Sequence, residues 1–183
     1  EYNIFSDEGK VAVVSLRLKE SDYQPIKAYK DLPVDPLLPL TSVLAKIGEG
    51  EGAAIQIIMR PAGPKWKKAG RGYIGSTKKT EANPEKASYK ADSKELEAVE
   101  NKINKLGFET MIRIVVCAKD QMQAKAHLNN IVNSYGQFTW FNSFKQNRIR
   151  FKGLYMTDFI YRYFPLLEGK SCILSTDELG TLF

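Results

Sequence analysis

The chain has 183 residues, 43% of them hydrophobic and 26% charged, which suits one packed domain with appendages. No apolar run approaches the roughly 20 residues that would cross a bilayer, and Glu1-Tyr2-Asn3-Ile4-Phe5 has neither the basic nor the apolar region of a signal peptide. The net charge of +6 is concentrated: residues 61–80 hold Lys65, Lys67, Lys68, Arg71, Lys78 and Lys79 with no Asp or Glu, and without those six the chain is neutral by count.

The first strand is expected over Lys10–Lys19, with Ala12, Val14, Leu16 and Leu18 turned to a core and Val11, Val13, Ser15 and Arg17 on a mixed face. Asp35-Pro36 reads as a helix start, because an Asp side chain can accept an orphan amide and proline suits the first turn. Leu40, Val43, Leu44 and Ile47 then form an apolar stripe stopped by Gly48. Glu49 and Glu51 fall in a glycine turn and are expected to be solvated, and Ala53–Arg60 is a second, isoleucine-rich strand.

Residues 61–92 are punctuated by Pro61, Gly63, Pro64, Gly70, Gly72, Gly75 and Pro84, and read as an inserted basic loop. A helix capped by Asp92 or Ser93 follows, with Leu96, Val99, Ile103 and Leu106 inward. Lys94, Glu95, Glu97, Glu100, Lys102 and Lys105 form its solvated face. Phe108–Ala118 is the next strand. Asp120 caps a helix whose stripe is Ala124, Leu128, Ile131, Val132 and Tyr135, ended by Gly136. An aromatic stretch, Phe138 to Phe144, leads to a short strand at Arg148–Lys152.

Two strand-helix-strand units in tandem predict an α+β fold of the ferredoxin-like βαββαβ type, a four-stranded antiparallel sheet with both helices on one face. The expected domain is 1–153, with the insertion at 61–106. Residues 154–183 form a C-terminal extension that leaves the domain, and Ser175-Thr176-Asp177-Glu178 within it is a capping box. The chain begins without Met and stops just after this helix start, so both ends read as cuts in a longer polypeptide.

Several patterns imitate catalytic sites. Gly70-Arg71-Gly72-Tyr73-Ile74-Gly75 matches G-x-G-x-x-G, yet nine residues with prolines among them separate it from the preceding strand, where a dinucleotide loop would follow directly. Gly75 is followed by Ser76-Thr77 without the lysine that a nucleotide phosphate needs. His127 is the only histidine and has no ligand-spaced partner, so neither a metal nor His-dependent acid–base chemistry is expected. Cys117 and Cys172 each lie in an apolar strand-like run and are expected to be buried thiols, which points to the cytoplasm. The expectation is a domain with no catalytic residues, cofactor or small-molecule substrate.

The remaining functional pattern is Lys65-Trp66-Lys67-Lys68-Ala69-Gly70-Arg71-Gly72-Tyr73, continued by Lys78 and Lys79. Cations can neutralise phosphates there, and Trp66 or Tyr73 could stack on bases. An RNA-recognition platform is not expected, because the first strand has no aromatic and Gly107-Phe108-Glu109-Thr110-Met111-Ile112 has only one.

Several segments carry a family resemblance: Asp35-Pro36-Leu37 through Leu40-Thr41-Ser42, Gly50–Gln56, Trp66 with Gly70-Arg71, Gly107-Phe108-Glu109 through Ile112-Arg113, Phe141-Asn142-Ser143-Phe144, and Leu174–Leu179. Together they resemble the region before the motor in conjugative coupling-protein-like (HerA-like) DNA-transfer ATPases of type IV secretion systems. The resemblance implies a non-catalytic accessory domain at the inner face of the cell membrane, positioning subunits, partners or DNA beside an ATPase domain of the same polypeptide. It implies a homo-oligomeric full-length protein. A stand-alone nucleic-acid-binding module acting through residues 65–79 is the alternative.

Overall fold

The structure is a computed structural model that describes residues 3–6, 8–82, 92–165 and 171–183. Those residues form an α+β domain around one open antiparallel sheet of five strands. The strands are β1 (Lys10–Leu18), β2 (Gly52–Pro61), β3 (Gly107–Ala118), β4 (Phe144–Asn147) and β5 (Cys172–Ser175). Six helices accompany them: α1 (Leu37–Leu44), α2 (Lys65–Glu81), α3 (Ser93–Ile103), α4 (Gln121–Ser134), α5 (Lys152–Ile160) and α6 (Thr176–Gly180).

The sheet runs in the order β2-β3-β1-β4. β3 is its spine, a run of β-branched and apolar residues buried on both faces, as a central strand requires. Along one edge it pairs β2, with Ile55 opposite Ile114 and Gln56 opposite Arg113. Its other edge is shared end to end: β1 takes Ile112–Ala118 and β5 takes Gly107–Thr110. The sheet therefore has one strand more than the four expected, and the extra strand comes from the segment expected to leave the domain.

The alternation expected for β1 holds. Ala12, Val14, Leu16 and Leu18 are buried, and opposite them Ile112, Ile114, Val116 and Ala118 complete a core roofed by α1 and α4. Both cap expectations also hold: the Asp120 carboxylate accepts from the Gln123 amide at 2.8 Å, and Asp92 accepts from the Lys94 amide at 2.9 Å. Asp35 accepts from the Leu37 amide at 2.9 Å, although α1 ends at Leu44, short of Gly48.

The fourth strand is displaced from its expected position. It occupies Phe144–Asn147, and Arg148–Lys152 instead leads into α5. The aromatic cluster sets this register: Phe144 stands opposite Leu18 and meets Tyr135 and Phe138 edge to face, at centroid separations of 5.5 and 6.2 Å. Pairing at Arg148 would withdraw Phe144 from that cluster.

The opposite sheet face is covered by α5. Arg113 projects from β3 onto that side and is fully buried; its guanidinium donates to Gln56 Oε1 (2.9 Å), the Asp158 carbonyl (3.0 Å) and the Tyr163 carbonyl (2.7 Å). Tyr155 adds a hydrogen bond from its hydroxyl to the Val14 carbonyl at 2.6 Å. Burial lowers the Arg113 pKa, while Asp158 opposes the shift.

Residues 171–183 belong to the same body, contrary to the expectation of an extension. Leu174, Leu179 and Leu182 lie in the main core. The Ser175 capping box forms as expected, with Glu178 Oε2 accepting from the Ser175 amide at 2.8 Å. The same carboxylate pairs with Lys102 at 3.0 Å and accepts from the Ile26 amide at 2.9 Å. Lys102 is thus buried, where a solvated helix face was expected, because its counter-charge arrives from a segment 76 residues further on.

Candidate nucleic-acid interface

The expected basic loop is a helix. Residues 65–81 form α2, seventeen residues and about 25 Å long at 1.5 Å per residue. Its intrinsic propensity is poor, since Gly70, Gly72 and Gly75 all lie within it. Packing supplies what propensity lacks. Trp66 is buried against Val99 and Ile103 of α3, and Gly70 lies so close to this partner that a Cβ there would meet Ile103 Cγ2 at 2.7 Å. Gly107 serves the same contact from β3, where a Cβ would meet the Trp66 ring at 2.4 Å. Pro84, which reads as punctuation of this segment, lies outside the described residues.

A helix at 100° per residue separates the residues of the basic segment into two groups. Trp66, Gly70, Tyr73 and Thr77 occupy the packed face. Tyr73 stacks on Tyr23 at 5.2 Å and donates from its hydroxyl to Glu95 at 3.0 Å. Both aromatics named as base-stacking candidates, Trp66 and Tyr73, are therefore engaged in the protein's own packing. This corrects the stacking expectation: these rings hold α2 in place.

The cations fall on the other face. Lys65, Lys68, Arg71, Lys78 and Lys79 are exposed, and Lys67 is half-buried with its ammonium 5.6 Å from the centre of the Trp66 ring. Among the described residues none of these six forms an ion pair. Gly72 and Gly75 lie between them, and the space where a Cβ would stand is open at both. The result is a straight cationic ridge with two bare stretches of backbone.

Gly70–Gly75 are interior turns of this helix, so most of their amides are committed to intrahelical bonds and cannot cradle a phosphate as a glycine loop does. His127 lies on α4 and pairs with Glu51 at 3.2 Å. Glu51 is buried and accepts from the Gly48 amide at 3.2 Å, which corrects its expected placement in a solvated turn. The pair fastens α4 to the start of β2. Both cysteines are free and buried, as expected. Burial pushes the Cys172 thiol up to about 12, far from the range of a reactive thiolate. No group of three or more metal-ligating side chains occurs among the described residues.

Sequence reading also missed Arg113 and the Lys102–Glu178 pair as buried charges. Arg113 had a usable signal, a lone cation inside the unbroken apolar run Met111–Ala118.

Fold and surface together define an α+β domain that carries a cationic helix on its exterior. A family model described as a domain of unknown function, DUF8128, matches residues 3–149, and the chain belongs to that family. No curated protein matches the chain. Among the described residues no helix is long and apolar enough to cross a membrane.

Proposed function

We propose that the domain is a non-catalytic accessory module that lays α2 along a nucleic-acid phosphate backbone, and that it serves a membrane-associated DNA-translocating ATPase of the conjugative type. The observation that carries the DNA contact is the exposed row Lys65, Lys68, Arg71, Lys78 and Lys79, which forms no ion pair among the described residues, on the face of α2 opposite its packing. A helix already held by its other face needs no backbone ordering when its cations meet phosphates. Bare backbone at Gly72 and Gly75 permits close approach. Because the aromatics are turned inward, recognition rests on charge and is independent of base sequence.

The strand order β2-β3-β1-β4, with α1 and α4 on one face, supports reading the two halves as a ferredoxin-like βαββαβ unit to which β5 is added. In that reading α2 and α3 are the insertion between the halves, and they present the contact surface away from the core.

Fluorescence anisotropy with labelled single- and double-stranded DNA, titrated across salt, tests the contact. Five phosphate contacts predict a slope of log K against log salt near −4 to −5 on duplex. Replacing Lys65, Lys68, Arg71 and Lys78 with Gln is expected to flatten that slope by about 3 to 4 while leaving the melting temperature unchanged. No binding at low salt would refute the contact. A Walker A motif downstream in the full reading frame would favour the accessory role over a stand-alone binding module.

A further inference from the structure

A second surface, independent of α2, lies on α5 and the residues after it. Phe151, Leu154, Thr157 and Tyr161 recur at helical spacing on the outward side of α5, and Ile160 adjoins them. Phe151, Ile160, Tyr161 and Tyr163 each leave more than half of their surface open, and Leu154 more than a third. Tyr161 and Tyr163 stack on each other at 5.6 Å, so the two rings form one aromatic plate. The chain turns at Arg162, whose φ of 59° brings these tyrosines to the same side. The patch cannot fold inward, because the inner side of α5 is already fixed by Arg113 and Tyr155.

Among the described residues 144–165 the cations Lys145, Arg148, Lys152 and Arg162 flank the patch, and the one acid, Asp158, is buried beside Arg113. Exposed aliphatic side chains, tyrosines and flanking cations are the three kinds of group that a bilayer interface takes up, at acyl, glycerol and anionic headgroup level.

We propose that the α5 face docks on an anionic lipid surface, with Leu154 and Ile160 entering the acyl boundary, Tyr161 and Tyr163 at headgroup level, and Arg148 and Arg162 contacting lipid phosphates. Nucleic acid would use the same cations, but it takes apolar side chains only as single wedges between base steps, whereas Phe151, Leu154, Ile160, Tyr161 and Tyr163 form a broad apolar face, which is why lipid is favoured here.

Vesicle co-sedimentation tests this, comparing phosphatidylcholine alone with phosphatidylcholine containing 30% phosphatidylglycerol. The expected result is binding to the anionic vesicles alone. The double variant Arg148→Gln/Arg162→Gln should weaken it about 30-fold, at roughly five-fold per cation, and Leu154→Asp/Ile160→Asp should abolish it. Circular dichroism melts establish that each variant is folded. A second variant, Ile160→Trp, places a reporter on an exposed site; its added fluorescence should be quenched by brominated lipid. Absence of binding to anionic vesicles at low salt would overturn the proposal, as would binding that survives both double variants. It is equally overturned if the α5 variants keep vesicle binding and lose DNA binding, or if the α2 variant alone loses vesicle binding.

Discussion

The Lys102–Glu178 pair offers a decisive perturbation of the fold, Glu178→Ala. Both side chains are almost wholly removed from solvent, at 1% and 3% exposure. Deleting the carboxylate leaves the Lys102 ammonium, among the described residues, with the Gln24 carbonyl at 3.3 Å alone, and deprives the Ile26 and Ser175 amides of their acceptor. Breaking a buried pair from one side costs about 3–5 kcal/mol, and each orphaned amide about 1–3 kcal/mol. These costs overlap, since a cavity of about 80 Å³ lined by both residues lets water reach part of the site. The expected loss is about 4 kcal/mol, which for a domain of this size lowers Tm by roughly 10–15 °C. Urea denaturation with a double-mutant cycle measures it. Lys102→Met alone should cost about 2–3 kcal/mol, because the carboxylate keeps two amide donors. The double variant should fall short of the summed losses by about 2 kcal/mol. A loss under 1 kcal/mol for Glu178→Ala, strictly additive with Lys102→Met, would refute the reasoning.

Two further outcomes are expected. Arg113→Met removes three hydrogen bonds that hold α5 and Tyr163 to the sheet, so a loss of about 3–5 kcal/mol is expected. Hydrogen exchange should rise across residues 152–163 well before it rises in α4, and a uniform increase would contradict this. Stability should also erode in alkali. Burial raises the Cys172 thiol and the Tyr135 phenol each to about 12, and moves Tyr155 the same way. Groups with raised folded-state pKa values stabilise fully below their unfolded values, near 8.5 for Cys and 10 for Tyr. That contribution is lost as pH climbs toward about 12. Urea midpoints at pH 7, 9.5 and 11 should therefore decline in order, and Cys172→Ala should remove the part of the decline that begins near pH 9.

Much of the scaffold was legible because it obeys local rules. β1 and the α4 stripe follow their hydrophobic periods, and the caps at Asp92, Asp120 and Ser175 use side-chain chemistry that acts within three residues. The errors at α2, Lys102, Glu51 and β5 share one physical cause, which is contact between residues distant in sequence. α2 is rich in glycine and reads as a loop, and the packing of Trp66, Gly70 and Tyr73 against Ile103, Gly107 and Tyr23 holds it as a helix. Lys102 and Glu51 look solvated until Glu178 and His127 are brought to them. The strand-like run at Cys172 was readable, but four residues are too few to say which edge they join. Of the candidate interface, the closeness of Lys65, Lys68, Arg71, Lys78 and Lys79 is plain in the sequence itself. Their alignment into a ridge and the inward turn of Trp66 and Tyr73 required the helix.

β5 and the carboxylate behind it also bear on how the polypeptide is made. A ribosome delivers Lys102 long before Glu178, and the lower half of the β3 edge long before Cys172–Ser175 can occupy it. Until Cys172–Ser175 and Glu178 emerge, the nascent chain carries an open sheet edge and an uncompensated ammonium. Completion of the body thus waits on Cys172–Glu178, and a chain stalled before them would present an adhesive strand for quality-control factors to recognise.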